Sequence, residues 1–358
     1  MSKNIYKYYL AFSYLLNIEP VFKKRLFEFF DYDIEHAFRC DKDELKNFGY
    51  PVSRNFFRDR EKLDVDSIYS EIIKKNYKFV TFEDKNYPEL LKNIDDFPLL
   101  LYYKGSFEKC NFDKTLAVVG SRNVTESAKS SLSYLMSSMK NLPITIVSGL
   151  AMGADAQAHR CAILNNLSTI GVIGCGIDLV YPSINKDLYS KIENGAGLIL
   201  SEYPPSTAPI PRNFPQRNRI ITGLSYGTLV VEAKLRSGAL ISANLSLEQG
   251  REVMCIPGVI TNPNTEGIYK LVKDGAPIVT TTDDIFENLN WDFSTNNCDV
   301  ELVGDEKNIF DIIACEPVSF EKIQSSMNGM DTSKLMVLLT ALEIRGLIKQ
   351  ISGQYILG

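Results

Sequence analysis

Seven short and nearly unbroken apolar runs between residues 116 and 281 limit what this chain can fold into: LAVVG, ITIVSG, TIGVIGCG, GLILSEY, GTLVVEA, EVMCIPG and APIVTT. Runs of this length without polar alternation suit strands buried on both faces, the condition of a parallel sheet covered by helices. Segments of helical period lie between them, including SAKSSLSYLMSSMK, ADAQAHRCAILNN, PQRNRIITGL and GALISANLSLEQG. The alternation predicts an α/β domain over about residues 78–290, doubly wound and Rossmann-like, with a mostly parallel sheet. In such a sheet, ligands sit at the carboxyl ends of the strands.

Two smaller regions flank it. Residues 1–66 carry apolar and aromatic side chains at helical spacing (Leu10, Phe12, Leu15, Leu16, then Leu26, Phe29, Phe30), broken at 31–33 and 40–42. Several short helices are expected there, with a turn at Asn47–Pro51. The polar stretch 294–305 reads as a linker. Residues 306–358 then show three helical segments, NIFDIIAC, SFEKIQSSM and TSKLMVLLTALEIRG, before two short strand candidates, LIKQI and QYIL, around Ser352–Gly353. Three helices and a hairpin make a winged-helix pattern. Its acidic residues (Glu306, Asp311, Glu316, Glu321, Asp331, Glu343) and basic residues (Lys307, Lys322, Lys334, Arg345, Lys349) nearly cancel. The third helix is mostly apolar, whereas a helix that reads duplex DNA needs cationic and amide side chains. Protein contact or regulation suits this domain as well as duplex binding does.

Several function classes are disfavoured by supply. The 7 cysteines include no CxxC pair, so neither a disulfide framework nor a zinc ribbon is expected, and a reducing cytoplasm is the natural setting. With 2 histidines, a histidine-rich metal hydrolase is nearly ruled out, and no metal is expected. The segment YYLAFSYLLNI is too short and interrupted to span a membrane and lacks a small-residue cleavage site. No GxGxxG opens a helix with a ribose-binding acid downstream, so a nicotinamide cofactor is disfavoured and no cofactor is expected.

The net charge is −5, which argues against a uniformly coated DNA binder. Yet between Pro205 and Arg236 stand Arg212, Arg217, Arg219, Lys234 and Arg236 against Glu232 alone. A local basic patch is the footprint of a phosphate-rich ligand. Glycines mark the strand ends: Gly120-Ser121-Arg122, Ser148-Gly149 with Gly153, and Gly174-Cys175-Gly176. Glycine there lets backbone approach a phosphate, and a following helix offers free N–H donors. Arg122, just past a strand end, is placed to fork two hydrogen bonds to a phosphate. By spacing alone, Tyr189 reads as core and Lys186 as solvated. Of Arg212, Arg217 and Arg219, at least one is expected in a structural ion pair with Glu202 or Glu232. Asp155 and His159, at i and i+4, read as a structural pair. Glu202 and Glu232 both follow strands, and their separation decides whether they form a carboxylate pair.

The motifs VVGSR (Val118–Arg122), VSGLAMGADAQAH (Val147–His159), GVIGCGIDLVYP (Gly171–Pro182), SEYPP (Ser201–Pro205), FPQRNRIITGLS (Phe214–Ser225), VVEAKLRSGALISA (Val230–Ala243) and GREVMCIPG (Gly250–Gly258), taken in order, resemble the DNA-processing protein A family, DprA or Smf. The segment Tyr87–Gly105 is similar to the family's entry into this domain. The resemblance implies a sterile-alpha-motif or helix-hairpin-helix type N-terminal domain and a C-terminal winged helix. It implies a non-catalytic protein that binds single-stranded DNA during natural transformation, shields it and helps load the recombinase RecA. It also implies a homodimer built through the Rossmann-like domain. On the family's pattern, Arg122 and Lys186 hold phosphates and Tyr189 stacks a base, which reverses the spacing reading of the last two. Gly120, Ser121, Gly149, Asn185, Arg212, Arg217, Asn218, Arg219, Ser237 and Gly238 complete the expected DNA-binding set. Met152 and Ala154 depart from the family's usual residues. Two other readings stand beside this one. The first is a nucleotide phosphoribohydrolase, with GLSYGT where such enzymes carry PGGxGT. The second is a duplex DNA regulator acting through the winged helix.

Overall fold

A computed structural model describes residues 5–293, 304–315, 317–327, 330–344, 348–351 and 353–357. They fall into two units, one ending at Trp291 and one beginning at Asp292. Residues 294–303 of the expected linker, Glu316, Arg345 and Ser352 lie outside the described residues.

The first unit opens with five helices: α1 (Tyr6–Tyr14), α2 (Pro20–Phe29), α3 (Ile34–Arg39), α4 (Arg54–Arg60) and α5 (Val65–Lys74). Their starts follow local chemistry. Pro20 opens α2, while Asp33 and Asp64 accept the backbone N–H of His36 and Ser67 to cap α3 and α5. The helices close on buried Tyr9, Phe12, Phe22, Phe27 and Phe56. Leu10, Phe12, Leu15 and Leu26 are buried as expected, but Leu16 and Phe29 are exposed. The boundary expected near residue 66 falls inside α5. The helices dock on the sheet through polar contacts as well: Ser13 and Tyr102 share a 2.9 Å hydroxyl hydrogen bond, and the Tyr6 hydroxyl donates to Asp84 at 3.0 Å.

The sheet contains β1 (Lys78–Thr81), β2 (Leu100–Gly105), β3 (Thr115–Val119), β4 (Thr145–Ser148), β5 (Ser168–Ile173), β6 (Gly197–Ser201), β7 (Gly227–Val230) and β8 (Glu252–Cys255), in the order β1-β2-β6-β5-β4-β3-β7-β8. Strands β3 to β8 pair in parallel; β1 and β2 form an antiparallel edge against β6. Six of the seven apolar runs are therefore strands. APIVTT makes only a bridge from Ile278 to Cys255. Pro277 has no N–H to donate, so its carbonyl alone joins the ladder, accepting from Cys255 at 2.9 Å.

The connecting helices are α6 (Glu89–Lys92), α7 (Glu126–Ser137), α8 (Ala154–Leu164), α9 (Lys186–Lys191), α10 (Asn213–Gly223), α11 (Gly238–Glu248), α12 (Glu266–Lys273) and α13 (Thr282–Asn288). The chain winds outward from β3 through β4, β5 and β6, then returns to the other side of β3 as β7 and β8. The strand order thus reverses between β3 and β7, and a crevice at their carboxyl ends is the consequence.

The second unit holds α14 (Asp305–Cys315), β9 (Val318–Ser319), α15 (Phe320–Ser326), α16 (Thr332–Ile344), β10 (Ile348–Ile351) and β11 (Gln354–Leu357), with its small sheet ordered β10-β11-β9. Ile309, Ile313, Ile323, Leu335, Leu339 and Leu342 form its core, while Met336 and Val337 of α16 are exposed. Among the described residues, no helix is long and apolar enough to cross a membrane.

Candidate functional site

The crevice at the strand reversal is a cleft of about 450 Å³. Gly120, Ser121 and Arg122 enter it after β3, Ala151 after β4, Tyr181 after β5, and Lys234, Ser237 and Gly238 after β7. A smaller hollow beside it shares Arg122, Ala151, Tyr181, Phe214 and Arg217 and adds Gly149, Met152 and Gly174.

Backbone geometry fixes the loop between β4 and α8. Asp155, 9% exposed, accepts the N–H of Gly149 at 3.1 Å and of Ala151 at 3.4 Å. The side-chain amide of Asn185 donates to the carbonyls of Leu150 and Ala151 at 3.0 and 3.1 Å. One side chain therefore satisfies the loop's donors and the other its acceptors, and Leu150 is held at φ +54° between them. Burial pushes the Asp155 carboxyl above the usual range, with the guanidinium of Arg217 opposing the shift.

Gly153 ties this loop to the Arg122 loop. Its φ is +77°, and a Cβ there would stand 2.3 Å from the Ser121 carbonyl and 2.4 Å from that of Arg122. The next residue, Ala154, donates its N–H to Ser121 at 3.0 Å. Gly153→Ala is expected to displace the Arg122 loop and cost about 1–3 kcal/mol, read as a lower denaturant midpoint. An unchanged midpoint would show that the loop adapts freely.

Arg122 is exposed, and its guanidinium carbon lies 5.8 Å from the centre of the Phe214 ring. Phe214 also packs against Tyr181, with ring centroids 5.6 Å apart at 33°. The ring thus supports the arginine from one side and leaves its donors available. Across the cleft, α11 presents its N-terminus: Ser237 caps it by accepting the N–H of Leu240 at 3.4 Å, and Gly238 and Ala239 line the cleft. A helix N-terminus with Lys234 nearby favours an anion.

The remaining expected residues divide by burial. Lys186 and Arg212 are exposed. Lys186 is not among the residues lining the cleft, and Arg212 donates to the Asn17 side chain at 3.3 Å. Tyr189 is 4% exposed, and its hydroxyl donates to the Tyr181 carbonyl at 2.8 Å, so its ring is core, as its spacing alone indicates. Asn185 is 2% exposed and acts on the loop backbone rather than on the cleft. Arg217 is buried: its guanidinium donates to the carbonyl of Gly149 at 2.6 Å and to that of Val172, joining the ends of β4 and β5. Its neighbour Asn218 lines the cleft and accepts from Arg217 Nε at 3.3 Å. Arg219 is buried between Glu202, at 2.7 Å, and Asp96, at 3.1 Å. The basic patch of the sequence is therefore partly interior, because these two arginines hold structure.

The other carboxylate candidates are also structural. Glu232 is buried and accepts the Thr125 N–H at 3.0 Å, the Thr125 hydroxyl at 2.6 Å and the Asn262 amide at 3.2 Å. It follows β7, whereas Glu202 follows β6, four strand spacings away, about 19 Å at normal strand separation. They form no catalytic pair. His159 is buried against the Thr169 hydroxyl at 2.7 Å, and burial lowers its pKa to about 3, so it is a neutral core side chain. Asp155 and His159 thus face different partners. The GLSYGT turn begins β7 at the edge opposite the cleft, with Ser225 buried and Tyr226 bonded to Thr115, so it offers no phosphate cradle there.

Tyr181 and Phe214 line the cleft without having been singled out as site residues from sequence, whereas Lys234 belongs to the basic patch noted there. The two rings carried a signal: Tyr181-Pro182 and Phe214-Pro215 place aromatic rings before prolines, the first in the loop after β5 and the second in the opening turn of α10.

The profile of the DNA recombination-mediator protein A family matches residues 78–290. DNA processing protein DprA of Streptococcus pneumoniae is 43% identical over 224 residues, 62% of this chain and 78% of its own. Protein Smf of Synechocystis is 35% identical over 295 residues, 81% of this chain and 74% of its own. The X-ray structure of the S. pneumoniae protein superposes with a TM-score of 0.67 at 35% identity, covering 78% of this chain and 95% of that one. DNA processing protein A from Helicobacter pylori, whose structure concerns a single-stranded DNA binding mode, superposes with a TM-score of 0.53 at 28% identity, covering 60% of this chain and 96% of that one.

Proposed function

Because the chain belongs to the DNA recombination-mediator protein A family, we propose that its cleft binds single-stranded DNA. The observation that carries this reading is the exposed Arg122 guanidinium set beside the Phe214 ring, facing Lys234 and the N-terminus of α11. These groups grip a phosphate, and Phe214 and Tyr181 offer apolar faces to bases of any identity. Phosphate contacts carry no sequence information, so recognition through them tolerates any strand. The carboxylates near the cleft are engaged in structural bonds, which favours binding over turnover. Lys186 extends the basic surface beyond the cleft.

On this reading the protein is a cytoplasmic homodimer that shields single strands during transformation or recombination and helps load RecA. The family resemblance is what supports these steps. Competition between labelled single strands and duplex of the same sequence tests the proposal. Single strands are expected to bind in preference, with little dependence on sequence. A duplex preference would transfer the activity to the C-terminal unit, and release of free base from a nucleotide would replace binding with catalysis.

A further inference from the structure

A second basic groove lies on the helical layer, outside the cleft. It has a volume of about 540 Å³ and is lined by Lys42, Arg54, Arg58 and Phe57, with exposed Val52 at its edge and Glu61 as its one acidic wall. Among the described residues, neither Lys42 nor Arg54 has a carboxylate partner, and both are exposed. The Lys42 ammonium sits 5.6 Å from the centre of the Phe57 ring. The groove is therefore cationic with an aromatic floor.

Polar contacts connect it to the cleft. Arg212 follows Pro211 of the cleft wall and donates to Asn17 at 3.3 Å. Asn17 donates to Asp59 at 3.5 Å, and Asp59 holds Arg58 of the groove at 2.9 Å. The described residues of the helical layer and the sheet belong to one compact unit, so this path crosses a continuous surface.

We propose that the groove carries the same DNA strand beyond the cleft, with Arg212 as the step between them. This rests on the cleft binding single-stranded DNA. Cationic walls with an aromatic floor are the features that track a backbone without reading sequence. Continuity with the cleft favours a polynucleotide over an acidic peptide, since a strand leaving the cleft past Arg212 meets the groove next.

The test is binding as a function of strand length. Wild type, a Lys42→Ala/Arg54→Ala variant and Arg122→Ala are titrated with oligothymidylates of about 6 and about 30 nucleotides, spanning one small site and several. The double variant alters exposed side chains, and an unchanged thermal midpoint confirms that it folds. It is expected to bind the short strand as wild type does and the long strand about tenfold more weakly. Its salt slope on the long strand should shrink by about 1.4, the loss of two phosphate contacts. Equal long-strand affinity and slope in wild type and double variant would overturn the proposal and leave the groove to an acidic protein partner. If Arg122→Ala binds the short strand as wild type does, the cleft reading fails separately, and the long-strand comparison still decides the groove.

Discussion

Arg122→Ala is expected to weaken single-stranded DNA binding about 10- to 100-fold at low salt while leaving the fold intact. Hydrogen bonds to a charged group contribute about 1.5–3 kcal/mol, which sets that range. The side chain is exposed and rests on Phe214, so its removal leaves no buried donor or acceptor unpaired. Stability should therefore change by no more than about 0.5 kcal/mol, as for ordinary surface substitutions. Arg122→Lys should recover only part of the affinity, since a lysine supplies charge without the planar fork. Fluorescence anisotropy and thermal melting of the same samples separate the two effects. A large fall in melting temperature would recast Arg122 as a structural residue.

Arg219→Ala should do the reverse. Here the guanidinium is 3% exposed and lies between Glu202 and Asp96, joining α10 to the end of β6 and to the loop after α6. Burial raises the pKa of Asp96, and the charge of Arg219 opposes that shift. Removing the arginine leaves two partly buried carboxylates without the guanidinium that pairs them, with Lys23 the remaining cation acting on Glu202. Breaking a buried pair from one side costs about 3–5 kcal/mol. In a unit of this size that lowers the thermal midpoint by roughly 5–8 °C. The side chain does not reach the cleft, so affinity per folded molecule should be unchanged. Restoring most of the stability in Arg219→Met/Glu202→Gln/Asp96→Asn would identify the unpaired charges as the cause. A single variant as stable as wild type would mean that water reaches the site.

Which parts of this were legible in the sequence follows from burial. Strands β3 to β8 are covered on both faces, so their runs are unbroken and easily seen. The edge strands β1 and β2 are antiparallel and partly exposed, and KFVT and LLYYKG lack that signature. The position of Arg122, exposed in the cleft, was legible because it directly follows a glycine-marked strand end. That at least one arginine of the 212–219 cluster pairs with Glu202 or Glu232 was expected, and Arg219 does pair with Glu202; that Arg217 is interior as well was not legible. Two residues apart on a helix, Arg217 and Arg219 point about 200° from each other, so both are interior only if α10 is covered on opposite sides. One faces the ends of β4 and β5 and the other faces Glu202 and Asp96, and that enclosure is a tertiary fact. Tyr189 is buried, in keeping with its spacing and not with the stacking role that the resemblance implies; of the rings at the cleft, Tyr181 is exposed in the loop after β5, where spacing carries no signal, and Phe214 is half-buried in the first turn of α10.

The central claim is that an exposed cationic cleft at the strand reversal holds the phosphates of a single strand. A salt series of single-strand binding to wild type and Arg122→Ala tests it most directly. The logarithm of affinity should fall linearly with the logarithm of salt concentration, at about 0.7 per phosphate engaged, and the variant should lose about 0.7 of that slope. Parallel lines, or binding indifferent to salt, would contradict the claim.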